Sequence, residues 1–399
     1  MSGAGLSPQR LARMRRVLAR YVESGEMPGL VGMVARRAEV HVEALGALSV
    51  GGHPIGRDSI FRIASMTKPV TAAAAMILVE DGLLRLDEPV DRLLPELADR
   101  RVLKDVAGPL DETVAANRPI TLRDLLTFRL GIGYLFTPEL YPIHHAIAEQ
   151  GWAPGPPLPS HLPSPDEYMR RLRALPLMYQ PGERWLYNTG AEILSVLVAR
   201  ASGRPFDAFL KERLFDPLGM KDTGFVVPAA SIERLTTSYM RNPQTGILDV
   251  FDAAHASDWS RPPAFPNGAA GLASTVDDYH AFAQMLMSQG RHGKTRLLSR
   301  PSIELMTTDQ LTAAQKSASG FGAGFFDDHG WGFCLYIVTE RTGLASVGSY
   351  GWNGGLGSMW ESDPREEMIT ILLTSKLWES PTPPPVFADF WNQAYSAIE

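Results

Sequence analysis

Apolar residues recur at helical spacing from the start of the chain. Leu11, Met14, Leu18 and Tyr21 share one face, with Ser7 at the N-cap position and Pro8 at the first helical position. Residues 30–35 and 39–47 then read as two strands joined by the polar Arg36-Arg37-Ala38. A helix is predicted from about Ser65 to Glu80, closed by Asp81-Gly82, where glycine suits the left-handed C-terminal position. From about residue 84 to 265, short helical patterns alternate with proline-rich loops, notably around 152–159 and 161–165. Loops that long and stiff commonly wall a site. Within this middle, 192–201 reads as a helix ended by Ser202-Gly203. The last third returns to strands at 331–339, 345–349, 356–362 and 368–374, and a helix over about 386–398 ends the chain. The pattern predicts an α/β (α+β) fold: one antiparallel sheet built from both chain ends, flanked by helices, with a mostly helical second region. The expected division is 1–83 with 266–399 as the sheet domain and 84–265 as the helical one, with the site between them.

Composition narrows the class. Charged residues make up 21% of the 399, hydrophobic ones 45%, and the net charge is −6. That balance is globular, and nothing resembles the basic stripe of a nucleic-acid binder. The single cysteine, Cys334, excludes an intramolecular disulfide and is expected in a buried strand with a packing role. The longest apolar run, 71–79, falls short of the roughly 20 residues that span a bilayer. With no apolar signal core at the start, a cytoplasmic protein without a membrane partner is expected.

The first chemical candidate is Ser65-Met66-Thr67-Lys68. Spacing i to i+3 puts both side chains on one helix face. A serine hydroxyl needs a base within hydrogen-bond reach, and lysine serves only when burial or a neighbouring cation lowers its pKa. Lys68 is the only lysine with a serine three residues before it. Alone, such a match more often marks an N-cap serine followed by a surface lysine.

Its surroundings extend the match. The segments Phe61-Arg-Ile-Ala-Ser-Met-Thr-Lys-Pro-Val-Thr, Gly82-Leu-Leu-Arg-Leu-Asp-Glu-Pro-Val, Ile120-Thr-Leu-Arg-Asp-Leu-Leu-Thr, Pro181-Gly-Glu-Arg-Trp-Leu-Tyr-Asn-Thr-Gly, Pro217-Leu-Gly-Met-Lys-Asp-Thr-Gly-Phe and Ala270-Gly-Leu-Ala-Ser-Thr-Val-Asp-Asp-Tyr occur in order. Together they resemble the serine beta-lactamase and penicillin-binding fold over nearly the whole chain. Within it they are similar to the class C-like esterases, often called family VIII carboxylesterases.

The resemblance implies roles. Ser65 is the expected nucleophile, Lys68 the residue that activates it, and Tyr187 the tyrosine of the second motif, which passes protons. The beta-lactamases continue Tyr-x-Asn, whereas this chain has Thr189 at the third position, a departure shared with the esterase branch. At the third motif, Trp352-Asn353-Gly354-Gly355 stands where beta-lactamases carry Lys-Thr-Gly. An indole offers one N–H and an apolar face, and cannot pair with a carboxylate as lysine does. The resemblance implies an oxyanion hole from the amides of Ser65 and Gly355, with Trp352, Asn353 and Gly354 in the substrate wall. Phe128 and Arg129 depart from the family's Leu-Leu-Thr-His-Thr-Ser-Gly pattern, while Tyr134 resembles an aromatic that some family esterases place near the lysine.

Rival constellations are weaker. There is no Gly-x-Ser-x-Gly elbow, no zinc or cofactor motif, and His144, His145 and His329 read as surface or loop residues. Trp152, Trp185, Trp352, Tyr134 and Phe136 could form an apolar pocket suited to short or medium uncharged esters, packing alone being the alternative. The expectation is a carboxylesterase working through an acyl-enzyme on a small-molecule ester, without cofactor or metal. A beta-lactamase or D-amino-acid peptidase or amidase, an acyltransferase, and a catalytically dead binding module remain as alternatives.

Overall fold

The computed structural model describes residues 5–136, 139–151, 155–322 and 324–399. In chain order, α1 (Pro8–Glu23), β1 (Gly29–Arg36) and β2 (Glu39–Gly46) are followed by α2 (Thr67–Glu80), α3 (Thr189–Ser202) and α4 (Val276–Met287). Then come β3 (His329–Trp331), β4 (Tyr336–Val338), β5 (Tyr350–Gly354), β6 (Ser358–Asp363), β7 (Met368–Thr374) and α5 (Pro385–Ser396). The seven strands form one antiparallel sheet in the order β3-β4-β5-β6-β7-β1-β2. Both chain ends therefore meet at its centre, where Leu30 lies opposite Thr374 and Arg36 opposite Met368.

Burial explains this order. Every residue of β1 and β7 is buried, as expected of strands covered on both faces. On one face α1 and α5 pack Leu11, Met14 and Leu18 with Phe387 and Phe390 against Val34 and Leu372. Gly32 lets α5 come close, since a Cβ there would stand 3.1 Å from the Phe390 ring. On the other face lies α4, with Tyr279 and Phe282 set edge-on to Trp360. Of the 14 residues of α2, 12 are buried, so it is the central helix rather than an amphipathic one, and α3 packs along it. The side chains from Thr67 to Leu78 are thereby taken out of water, that of Lys68 among them.

Several expectations need correction. The stretch 331–339 is not one strand but two short ones, β3 and β4, reversed by a turn in which the Gly332 N–H donates to Leu335 O at 2.9 Å. Cys334 is buried as expected, yet it sits in that turn at φ +60°, with Sγ 3.5 Å from Leu126 O. The residues 345–349 form no strand; β5 begins at Tyr350 and β6 at Ser358. Ser7 occupies the N-cap of α1 without a side-chain cap; its N–H instead donates to Ala397 O at 2.8 Å, which ties the chain ends together. Between α2 and α4 lie short helices, as the pattern predicts, but also two small ladders it did not: Arg101–Leu103 with Thr113–Ala115, and Ser238–Arg241 with Leu248–Asp252. Among the described residues, no helix is long and apolar enough to cross a membrane.

Candidate active site

Ser65 sits in a single 3-10 turn, Ala64–Met66, that leads directly into α2. Its neighbour Ala64 has φ +43°, a strained value for a residue with a Cβ, costing of order 1–3 kcal/mol. The turn is held from outside. Ile63 N–H donates to Leu272 O at 3.0 Å, Tyr279 OH donates to Met66 O at 2.9 Å, and Ser358 Oγ donates to Ile63 O at 2.9 Å.

One helical turn on, Lys68 is wholly buried, with Nζ 2.9 Å from Ser65 Oγ and 2.8 Å from Ala269 O. Burial disfavours the ammonium form and lowers its pKa from 10.5 to about 7. A nearby carboxylate, Glu192, opposes that fall. Lys68 Nζ also lies 4.4 Å from the centre of the Tyr187 ring. Tyr187 stands just before α3, and the next residue, Asn188, again has a positive φ, +80°, in a tight turn where the Thr189 N–H donates to Tyr187 O at 3.1 Å. The Tyr187 hydroxyl hydrogen-bonds with Ser65 and accepts the Trp352 Nε1–H at 2.9 Å. Burial pushes the phenol well above its usual range, so it is held as a neutral O–H.

Trp352 lies on β5, whose pairing with β4 ends at Gly351. From Trp352 to Gly354 the strand pairs only with β6. Gly355 follows, exposed, and neither its N–H nor that of Ser65 meets a protein acceptor among the described residues. Gly354 faces the opposite way. It is buried against Ile63 O and Ser358 Oγ, and a Cβ there would overlap both. Gly354→Ala is therefore expected to destabilise the fold by about 1–3 kcal/mol, read as a lower denaturant midpoint. An unchanged midpoint would contradict this account of how β5 is held against the Ser65 turn.

These residues open on a cavity of about 1050 Å³. Ser65, Tyr134, Phe136, Tyr187, Trp352, Asn353 and Gly355 all line it; Lys68 lies beneath. Phe136 and Tyr187 both contact Phe321, with ring centroids 4.5 and 4.7 Å away. Trp185 does not line the cavity. It is 1% exposed and packs behind Tyr187 among Phe128, Phe326 and Trp331. Trp152 lies outside the described residues. His329, expected on the surface or in a loop, is half-buried on β3 and lines the cavity beside Tyr336.

Sequence reading also missed Phe321, Phe325, Asn267 and Glu192, all on the cavity wall. No motif marks the first three. A glutamate set among Ala191, Ile193 and Leu194 in the first turns of α3 was the one available signal for the fourth. No lysine or arginine lines the cavity among the described residues, and its acidic members are Glu192 and Glu379.

Comparison with known proteins agrees with this architecture. Protein Rv1367c of Mycobacterium tuberculosis is 39% identical over 360 residues, covering 88% of this chain and 86% of that protein. Esterase EstB of Burkholderia gladioli is 29% identical over 397 residues, covering 94% and 93%. Among solved structures, EstCE1, described as a hydrolase with promiscuous acyltransferase activity, superposes with a TM-score of 0.78 at 23% identity over 98% of both chains. The family model for Beta-lactamase matches residues 14–385. With that match running almost from end to end over a fold of the same kind, the chain belongs to the beta-lactamase family, as an enzyme of the beta-lactamase-like serine hydrolase superfamily.

Proposed function

We propose that this enzyme is a carboxylesterase that cleaves uncharged esters through an acyl-enzyme on Ser65. The observation that carries the reading is the buried Lys68 amine, 2.9 Å from Ser65 Oγ and with its pKa brought near neutrality. Ser65 attacks the ester carbonyl as its proton passes to the Lys68–Tyr187 pair. The amides of Ser65 and Gly355 receive the oxyanion, where two aimed donors stabilise charge that appears only in the transition state. The proton is returned to the leaving alcohol, and water then releases the acid from Ser65. The relative EstB is an esterase by name, which supports ester chemistry here.

The cavity chemistry favours esters over carboxylate-bearing lactams. The Trp352 N–H is engaged by Tyr187, and no lysine or arginine lines the wall among the described residues. A substrate carboxylate would lose its water without gaining a charge-assisted hydrogen bond, worth about 1.5–3 kcal/mol. On a panel of nitrophenyl esters, neutral acyl groups are expected to exceed matched carboxylate-bearing ones by at least about tenfold in kcat/KM. Chromogenic cephalosporins and D-alanyl amides should be poorer still. Efficient cephalosporin turnover with no ester cleavage would overturn the assignment.

A further inference from the structure

Glu192 is a carboxylate in an unfavourable place. It lies in the first turn of α3, is 6% exposed, and forms part of the cavity wall. Burying a charge costs several kcal/mol unless it is paired. Three neutral donors meet it: Tyr168 OH at 2.7 Å on Oε2, Asn267 Nδ2 at 3.3 Å on Oε1, and the Asn188 side chain. A glutamine could accept such bonds without the cost of a charge, so the donors do not explain an acid.

What an acid adds is on the far side of Asn267. The Oδ1 of that residue accepts the Ala269 N–H at 2.7 Å, and the Ala269 carbonyl accepts from Lys68 Nζ at 2.8 Å. The residue between is clamped as well: Gly268 N–H reaches Ser195 Oγ at 3.3 Å, and Thr71 Oγ1 donates to Gly268 O at 2.7 Å. A short run of hydrogen bonds thus leads from the carboxylate to the lysine, and the two also attract each other directly.

We propose that Glu192 is a positioning residue for the Ser65–Lys68 pair: its carboxylate is the counter-ion of Lys68 and, through Asn267, holds the Ala269 carbonyl against the lysine amine. The inference rests on the role given to Lys68 in the proposed function. The groups facing the pair are Ser65, Tyr187 and Cys334 around Lys68, and Tyr134, Tyr168, Asn188 and Asn267 around Glu192. Burial raises the pKa of Tyr134, Tyr168, Tyr187 and Cys334, which keeps all four neutral. Lys68 and Glu192 are then the two members of this set that can carry a charge. Burial drives the lysine down and the glutamate up, and each is partly restored by the other.

The test reads Lys68 itself. In protein labelled with [ε-13C]lysine, the resonance lost in Lys68→Arg identifies the residue, and its titration is followed by NMR. The wild-type midpoint is expected near 7. Glu192→Gln removes the charge and keeps the shape, so the midpoint should fall by about one unit, and the acid limb of kcat/KM should move with it. Glu192→Asp, which keeps the charge, should restore most of the shift. An unmoved midpoint in a folded Glu192→Gln protein overturns the proposal.

Should that variant not fold, Asn267→Ala spares the carboxylate and cuts only the tether. It is expected to slow fluorophosphonate labelling of Ser65 by about tenfold through misplacement of the base, and an unchanged rate counts against the proposal. Failure of the ester panel would refute the proposed function while leaving the lysine titration readable. An unmoved titration would refute the role of Glu192 and leave the ester reading standing.

Discussion

Ser65→Ala is expected to lower kcat/KM for any ester the wild type cleaves by well over ~10³-fold, because covalent catalysis and its activation disappear together. The fold should survive. The hydroxyl is one of two Lys68 Nζ acceptors, and the other, Ala269 O, remains. Loss of one hydrogen bond at the cavity floor costs about 1 kcal/mol, so thermal unfolding should shift by only a few degrees. A fluorophosphonate probe that labels the wild type should leave the variant unlabelled. Turnover retained by Ser65→Ala, or labelling at another residue, would remove Ser65 from the mechanism.

Lys68→Met should be nearly as damaging. Methionine fills a similar volume in the interior of α2 but cannot take a proton, and loss of a positioned base costs typically ~10²–10⁴-fold. Its effect on stability should depend on pH in a direction the burial of Lys68 dictates. The folded state holds the lysine proton with a pKa of about 7, against 10.5 for the ordinary side chain. Between those values the unfolded chain binds a proton that the folded protein does not, so wild-type stability rises with pH there. Relative to Lys68→Met, the wild type should gain about 1 kcal/mol per pH unit over that window and show a flat difference below it. A flat difference throughout, from denaturant titrations at pH 6 to 10, would mean that Lys68 is not desolvated. Activity retained in Lys68→Met would instead leave Tyr187 as the sole base.

Much of this molecule is written locally. The strands at 29–36 and 368–374 follow from continuous apolar runs, the strand at 39–46 from alternation, and the helices at both ends from helical periodicity. Ser65 and Lys68 are visible because i to i+3 spacing on a helix is itself a spatial statement. Tyr187, Trp352 and Gly355 lie far away in sequence and were legible only through resemblance, since nothing in their immediate neighbours demands a site. The readings that failed did so where long-range contacts overrule local pattern. The 331–339 run looks like one continuous strand, but Cys334 N–H donates to Leu126 O at 2.9 Å, and the chain reverses there. Trp185 was open between packing and pocket, since an indole reads the same in a core as at a surface, and the aromatic cluster behind Tyr187 decided it for packing.

The sequence by itself determined the main strands and helices at both chain ends, and that a serine and a lysine share one helical face. Those properties depend on neighbours a few residues apart, within reach of backbone periodicity. Only the tertiary structure decided that Lys68 is stripped of water, because α2 is buried from Thr67 to Leu78, with α3 packed along it. It alone decided that Glu192, 124 positions away along the chain, is the charge that answers the lysine. Desolvation and Coulomb attraction act through space, and a chain read one residue at a time carries no record of either.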